Sequence, residues 1–305
     1  MSKEIIKLNH LTKDYGYGKG IFNLNLTINE GEMVGFIGTN GSGKTTTIRS
    51  ILGFIKPTSG EALVNGLNSR KHYEKILKNV GYVPGEIAFP DLPTGNSFIK
   101  SQGELLGIKD YSYALDLADK LALDLSANLK RMSKGMKQKT ALVSALMNDP
   151  KIIILDEPTT GLDPLMRDSF LEIIKKEHAK GKTILMSSHI FEELETTCDR
   201  VAFIANGKII DIANINAIRD RPVIDIKIEF ISDEDYQQFC KEKFKIIRKQ
   251  DKYHQLTIEI DKKDLDKLFT TLTKYKVSFY RSEKYTLEKH FKLVMKEKEK
   301  ENNVQ

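Results

Sequence analysis

The stretch Gly38-Thr39-Asn40-Gly41-Ser42-Gly43-Lys44-Thr45 constrains this chain more than any other. Its spacing is Gly, four residues, then Gly-Lys-Thr. Met33-Val34-Gly35-Phe36-Ile37 precedes it, an apolar run that predicts a buried strand. Thr46-Thr47-Ile48-Arg49-Ser50-Ile51-Leu52 follows and predicts the first turns of a helix. Strand, glycine loop and helix is the context in which such a loop holds phosphate. Glycines let the backbone curl until several N–H groups face one anion. The helix N-terminus, with Thr46 in its first turn, adds partial positive charge at the same spot. In that geometry Lys44 reaches the β- and γ-phosphates and the Thr45 hydroxyl ligates Mg²⁺. The competing reading, a Gly/Ser-rich turn that merely contains Lys-Thr, is disfavoured by both flanks.

A second signal is Lys151-Ile152-Ile153-Ile154-Leu155-Asp156-Glu157, an apolar strand ending in two acids. Acids at a buried strand end are costly unless they hold a metal or do chemistry. Asp156 is expected to bind the Mg²⁺ of Thr45, directly or through water. Glu157 is expected to face the γ-phosphate and polarise an attacking water. Taken alone, the pair could equally be surface acids at a strand end. A phosphate loop in the same chain argues for the chemical reading.

Around these signals the chain alternates strands and helices. Residues 4–10, 21–28, 61–64 and 79–84 read as strands, and 97–106 and 111–121 as helices within a largely helical stretch, 94–130. Ser133 precedes a helix to about Asn148. Asp163-Pro164 reads as a helix cap followed by proline, with Gly181 ending that helix. Residues 183–187 predict a buried strand, 190–197 a helix, and 200–205 with 208–212 a hairpin across Asn206-Gly207. This order predicts an α/β core with a mostly parallel sheet. Beyond about residue 215 the pattern becomes β-α-β-β-α-β, a split βαβ arrangement of ferredoxin-like, α+β type, closed by a helix over about 287–299.

Composition bounds the rest. The 305 residues, 40% of them hydrophobic, suffice for one large domain or two ordinary ones. The formal charge of +6 is spread along the chain, as expected of a solvated lysine-rich surface rather than a nucleic-acid site. Cys198 and Cys240 stand far apart without metal spacing, as in a cytosolic protein with reduced thiols. No run approaches the ~18 apolar residues of a membrane span, and the N-terminal residues lack the apolar centre of a signal peptide. A soluble chain is expected, with any membrane role exercised through a partner.

Read together, the motifs resemble a known family. A phosphate loop, a Ser-x-Gly-x-x-Gln helix start (Ser133 to Gln138), Asp156-Glu157-Pro158, Gly161-Leu162-Asp163 and a strand ending in Ser-Ser-His189 are similar, in order and spacing, to the nucleotide-binding subunit of an ATP-binding-cassette transporter. The resemblance covers residues 4–212. It implies a P-loop NTPase of that type over 1–218, with a helical subdomain at about 88–148, and an accessory domain over 219–305. It also implies ATP and Mg²⁺ as cofactors, hydrolysis of ATP, and two copies (or this chain and a paralogue) closing head to tail on two nucleotides.

Residue by residue, Ser133, Gly135 and Met136 match the signature segment that binds the other subunit's γ-phosphate, with Met136 in place of the usual glutamine. His189 matches the switch histidine. Asp163 matches the loop aspartate at the dimer interface and also fits a plain helix cap. Tyr15 stands where the family stacks an aromatic ring on adenine, with Tyr17 as a rival. The glutamine that usually follows Tyr82-Val83-Pro84 is Gly85 here, and Glu86 is a candidate substitute at the metal. Pro-Gly-Glu, and the more weakly matching Leu287-Glu288-Lys289-His290-Phe291, resemble bacterial export ATPases with separate permease chains. The implied partner is a membrane permease, which would hold this cytoplasmic chain peripherally at the inner face of the cell membrane, and the implied cargo is a small molecule or peptide such as an antibiotic, toxin or amphipathic peptide. A soluble cassette protein acting on ribosomes or nucleic acid is the alternative. The single phosphate loop and the short, irregular 60–130 stretch argue against it, so no direct nucleic-acid contact is expected.

Overall fold

A computed structural model of the chain describes residues 3–302. It divides into two compact units, 1–214 and 215–305, so the boundary precedes residue 218 and the short helix at Ile215–Arg219 opens the second unit.

The first unit runs β1 (Glu4–Asp14), β2 (Gly20–Asn29), β3 (Met33–Ile37), α1 (Lys44–Ile51), β4 (Ser59–Val64), β5 (Leu67–Asn68), α2 (Tyr73–Leu77), β6 (Val80–Val83), α3 (Gly95–Leu106), α4 (Ser112–Lys120), α5 (Lys134–Leu146), β7 (Ile152–Asp156), α6 (Pro164–Ala179), β8 (Thr183–Ser188), α7 (Phe191–Thr197), β9 (Arg200–Ala205) and β10 (Lys208–Asn214). Six strands form one sheet in the order β10-β9-β3-β8-β7-β6, and only the edge hairpin β9-β10 is antiparallel. β3, β7 and β8 lie in its interior and are buried along their whole length, which is why they read as continuous apolar runs rather than alternating ones.

The alternating strands β1 and β2 do not join that sheet. They build a separate antiparallel sheet, β2-β1-β4-β5, which buries Ile6, Leu8, Leu24 and Leu26 in one cluster with Val34, Phe36, Ile152, Ile154 and α1. At roughly 2 kcal/mol for each large apolar side chain removed from water, this cluster holds the two sheets together. β1 is longer than its alternation predicts. Bulges between Leu8 and Lys13, with His10 at φ 48°, shift the alternation out of phase.

The stretch 94–130 is only partly helical. α3 starts on a Thr94–Ser97 capping box and α4 ends at Lys120; Ala122 then takes φ 45°, and 121–128 is irregular before a 3₁₀ turn at Leu129–Arg131.

The parallel register aligns the C-terminal ends of the central strands. Ile37 is level with Ser188, Asp156 with Ser187, and Val83 with Leu155. The turns that leave these strands therefore emerge at one edge of the sheet, where open α/β sheets bind ligands.

The second unit contains α8 (Ile215–Arg219), β11 (Val223–Phe230), α9 (Asp233–Phe239), β12 (Lys245–Gln250), β13 (Gln255–Asp261), α10 (Leu265–Leu272), β14 (Val277–Glu283) and α11 (Leu287–Asn302). Its four strands are antiparallel in the order β12-β13-β11-β14. Ile226, Ile228, Phe230, Leu256 and Ile258 pack against Tyr236 and Phe239 of α9 and Leu268 and Leu272 of α10. Lys289 of α11 pairs with the buried Asp225. Among the described residues no helix is long and apolar enough to cross a membrane.

Candidate active site

The loop between β3 and α1 owes its shape to backbone that a side chain would obstruct. Gly43, which caps α1, takes φ 113°, and a Cβ there would lie 2.6 Å from Ile21 Cγ2. The first turn of α1 carries Lys44, buried at 5% exposure, with the half-buried Thr45 and Thr46 beside it. Lys44 Nζ donates to Gly38 O at 2.8 Å and Thr39 O at 3.3 Å, and lies 3.2 Å from Glu157 Oε1. Ser42 Oγ is buried with no hydrogen-bond partner among the described residues.

β7 delivers the acids. Asp156 is its last residue and is 1% exposed; its Oδ1 accepts the Ser187 hydroxyl at 2.7 Å, while Oδ2 has no partner among the described residues. A buried carboxylate oxygen left over in this way costs free energy unless something else meets it. Glu157 turns out of the strand at φ 48°, a left-handed conformation unusual for glutamate. Its N–H donates to Ser187 O at 3.1 Å and Ser187 Oγ at 3.0 Å, which holds that turn. The Glu157 carboxylate then lies between Lys44 on Oε1 and His189, whose Nδ1 is 3.5 Å from Oε2.

A cleft of about 920 Å³ lies over this edge. Tyr15, Asn40, Gly41, Ser42, Gly43, Lys44, Thr45, Thr46, Asp156, Glu157 and Glu86 all line it. Tyr15 is half exposed, with Lys13 Nζ 5.1 Å from its ring centroid; its rival Tyr17 is fully exposed and does not line the cleft. Gly85 packs against Asp156: an added Cβ would sit 3.2 Å from Asp156 O and 3.7 Å from its partner-free Oδ2. Glycine at 85 therefore leaves the space beside that oxygen open, with Glu86 following on the cleft wall.

Gly38, Thr39 and His189 do not themselves line the cleft, and neither do the remaining expected residues. Ser133 caps α5 by accepting Met136 N–H at 3.2 Å, and Gly135 lies against Gly161. Asp163 caps α6 by accepting Met166 N–H at 3.0 Å, with Pro164 at the first helical position. Ser133, Gly135, Met136 and Asp163 do not line the cleft, although Lys134 does.

Sequence reasoning missed several residues here. Ser187 is fully buried and ties Asp156 to Glu157; its signal was a pair of serines ending an otherwise apolar strand. Arg49, Thr160 and Asn206 also line the cleft. Tyr82 sits behind it, and burial, followed by the Asp156 carboxylate, pushes its phenol up to about 12, with Arg49 acting against the shift. Tyr82 is thus a neutral hydroxyl at any working pH.

Comparison with known proteins agrees with this geometry. The family described as ABC transporter matches residues 21–160. The bacitracin transport ATP-binding protein BcrA of Bacillus licheniformis is 36% identical over 213 residues, 68% of this chain and 69% of that protein. The chain belongs to the ABC transporter ATP-binding proteins. The lantibiotic transport ATP-binding protein SrtF of Streptococcus pyogenes is 35% identical over 208 residues, 68% of this chain and 89% of its own length. Among solved structures, a dimeric post-hydrolysis ATP-binding cassette bound to ADP and Pi aligns with TM-score 0.63 at 26% identity, over 69% of this chain and 99% of its own. This ABC ATPase accordingly has the P-loop NTPase fold, binds ATP and hydrolyses it.

Proposed function

We propose that this ABC ATPase powers export of an antibiotic, toxin or amphipathic peptide through a separate membrane permease, from a peripheral position at the inner face of the membrane. The names of the bacitracin and lantibiotic transport relatives support the cargo class. One observation carries the catalytic part of the reading. Lys44 and His189 converge on the two oxygens of Glu157, beside an Asp156 whose second oxygen is buried without a partner.

In the proposed site the triphosphate lies along the Gly38–Thr46 loop and Tyr15 stacks on the base. Lys44 exchanges its carbonyl partners for β- and γ-phosphate oxygens. The donors fit a hard cation: Thr45 Oγ1 and Asp156, with Glu86 available where Gly85 offers no side chain, would hold Mg²⁺, which neutralises charge on the phosphates. Glu157 orients and polarises the attacking water as Lys44 moves to the phosphates. His189 keeps Glu157 in place and donates to the γ-phosphate. Preorganised charge of this kind is where most of the rate enhancement arises.

We read Ser133, Gly135, Met136 and Asp163 as serving the nucleotide of a second cassette, either another copy or a paralogue. Gly135 lies against Gly161, which brings the Ser133 and Asp163 turns together, as that arrangement requires. The 215–302 unit, whose strand order supports a ferredoxin-like reading, is proposed as an accessory domain.

The test is Mg-ATP hydrolysis by the purified chain beside Glu157→Gln, with size-exclusion chromatography. The expected result is turnover by the parent protein and a stalled, ATP-bound dimer for the variant. Equal hydrolysis by both would refute the role of Glu157.

A further inference from the structure

Glu193 has no part in the chemistry above, yet it is a charged residue buried at 2% exposure. Its Oε2 accepts the Ser188 hydroxyl at 2.7 Å, and Ser188 Oγ in turn accepts Ile190 N–H at 3.0 Å. These two bonds pin the chain immediately before and after His189. The His189 side chain is 49% exposed and so gains little from packing. Its position over Glu157 therefore depends on where its backbone is held, and a buried carboxylate holds it.

The other oxygen of Glu193 faces α6. Arg167 Nε lies 3.7 Å from Glu193 Oε1, and both atoms are buried without a hydrogen-bond partner among the described residues. Opposite charges that face each other just beyond hydrogen-bond length gain substantially by closing to ~2.8 Å. Arg167 is also tied to the start of α6, because its backbone N–H donates to Asp163 O at 2.9 Å. A cleft of about 250 Å³ borders Arg167, Glu193 and Ile190.

We propose that Glu193 is a positioning residue for His189, acting through Ser188, and that Arg167 links this hold to the Asp163 turn. The inference rests on the roles of His189 and Asp163 proposed above.

Two measurements on the full chain test this. The first is hydrogen exchange of the peptide spanning 188–191. Glu193→Ala and Ser188→Ala are expected to speed exchange there about tenfold, while Glu193→Gln, which still accepts the Ser188 hydroxyl, is not. Exchange unchanged in both alanine variants overturns the proposal whether or not the chain hydrolyses ATP. The second is steady-state hydrolysis. Ser188→Ala is expected to lower kcat about tenfold with KM within about twofold, and to add less than about twofold in a His189→Ala background. Full multiplication of the two losses would mean that Ser188 acts independently of His189, and the proposal fails. If parent and Glu157→Gln hydrolyse alike, the catalytic reading itself fails, which the exchange measurement distinguishes.

Discussion

Replacing Ser187 with alanine removes one oxygen from a fully buried site and nearly preserves its shape, so its effect can be worked out bond by bond. The hydroxyl makes two bonds: it donates to Asp156 Oδ1 at 2.7 Å and accepts from Glu157 N at 3.0 Å. The second is partly redundant, because Glu157 N–H also donates to Ser187 O at 3.1 Å. The first is not. Asp156 Oδ2 already lacks a partner among the described residues, so Ser187→Ala leaves the whole carboxylate without one. A hydrogen bond to a charged group contributes about 1.5–3 kcal/mol, and the redundant bond a few tenths, so the expected loss is about 2–3 kcal/mol. In an Asp156→Asn background the partner is neutral and the same change should cost about 1 kcal/mol, a coupling of about 1–2 kcal/mol. Hydrogen exchange of the β7 and β8 amides is the assay, since it reads the stability of these strands separately from the second unit. Equal losses in the two backgrounds would refute the reasoning, because the bond to the carboxylate could not then be the source.

Burial pushes the Glu177 carboxyl up, but Lys180, Lys182 and the Tyr113 hydroxyl together hold it below the ordinary carboxylate value. A depressed native value contributes stability that is complete above the unfolded value, about 4.5, and is lost as pH falls through the native one. Subtracting Glu177→Gln from the parent across pH 3–7 in urea unfolding should leave a term that is flat near neutrality and shrinks below about pH 4.5; a difference that grows on acidification contradicts it. Gly43→Ala forces a Cβ to 2.6 Å from Ile21 at φ 113°, and should cost about 1–3 kcal/mol and abolish nucleotide binding in calorimetry. Burial pushes the Cys198 thiol up to about 12 and leaves it 6% exposed, so iodoacetamide at pH 8 should label Cys240 and reach Cys198 only on unfolding.

Much of this protein was legible in local sequence, for local reasons. The phosphate loop announces itself because its glycines and Lys44-Thr45 must follow a strand and open a helix. β7 and β8 read as buried because apolar runs have no other home. Ser133 and Asp163 read as caps because a hydroxyl or carboxylate three residues before an N–H satisfies it without help from the rest of the fold. Asn206-Gly207 read as a hairpin because both residues tolerate the positive φ they adopt. What the sequence could not determine depends on partners distant along the chain. β1 and β2 alternate as strands, but nothing local says that β1 pairs with both β2 and β4 in a separate sheet, or that bulges shift its phase after Leu8. The stretch 121–128 keeps a helical composition but leaves the helix at Ala122, which takes φ 45°, with Leu121, Leu123 and Leu125 buried. Ser187 is an ordinary serine in the sequence. Only the parallel register of β7 with β8 places its hydroxyl between Asp156 and Glu157, thirty-one and thirty positions away. Local residue chemistry determined which groups this protein would use, and long-range strand register, driven by burial of the apolar runs, decided which of them meet.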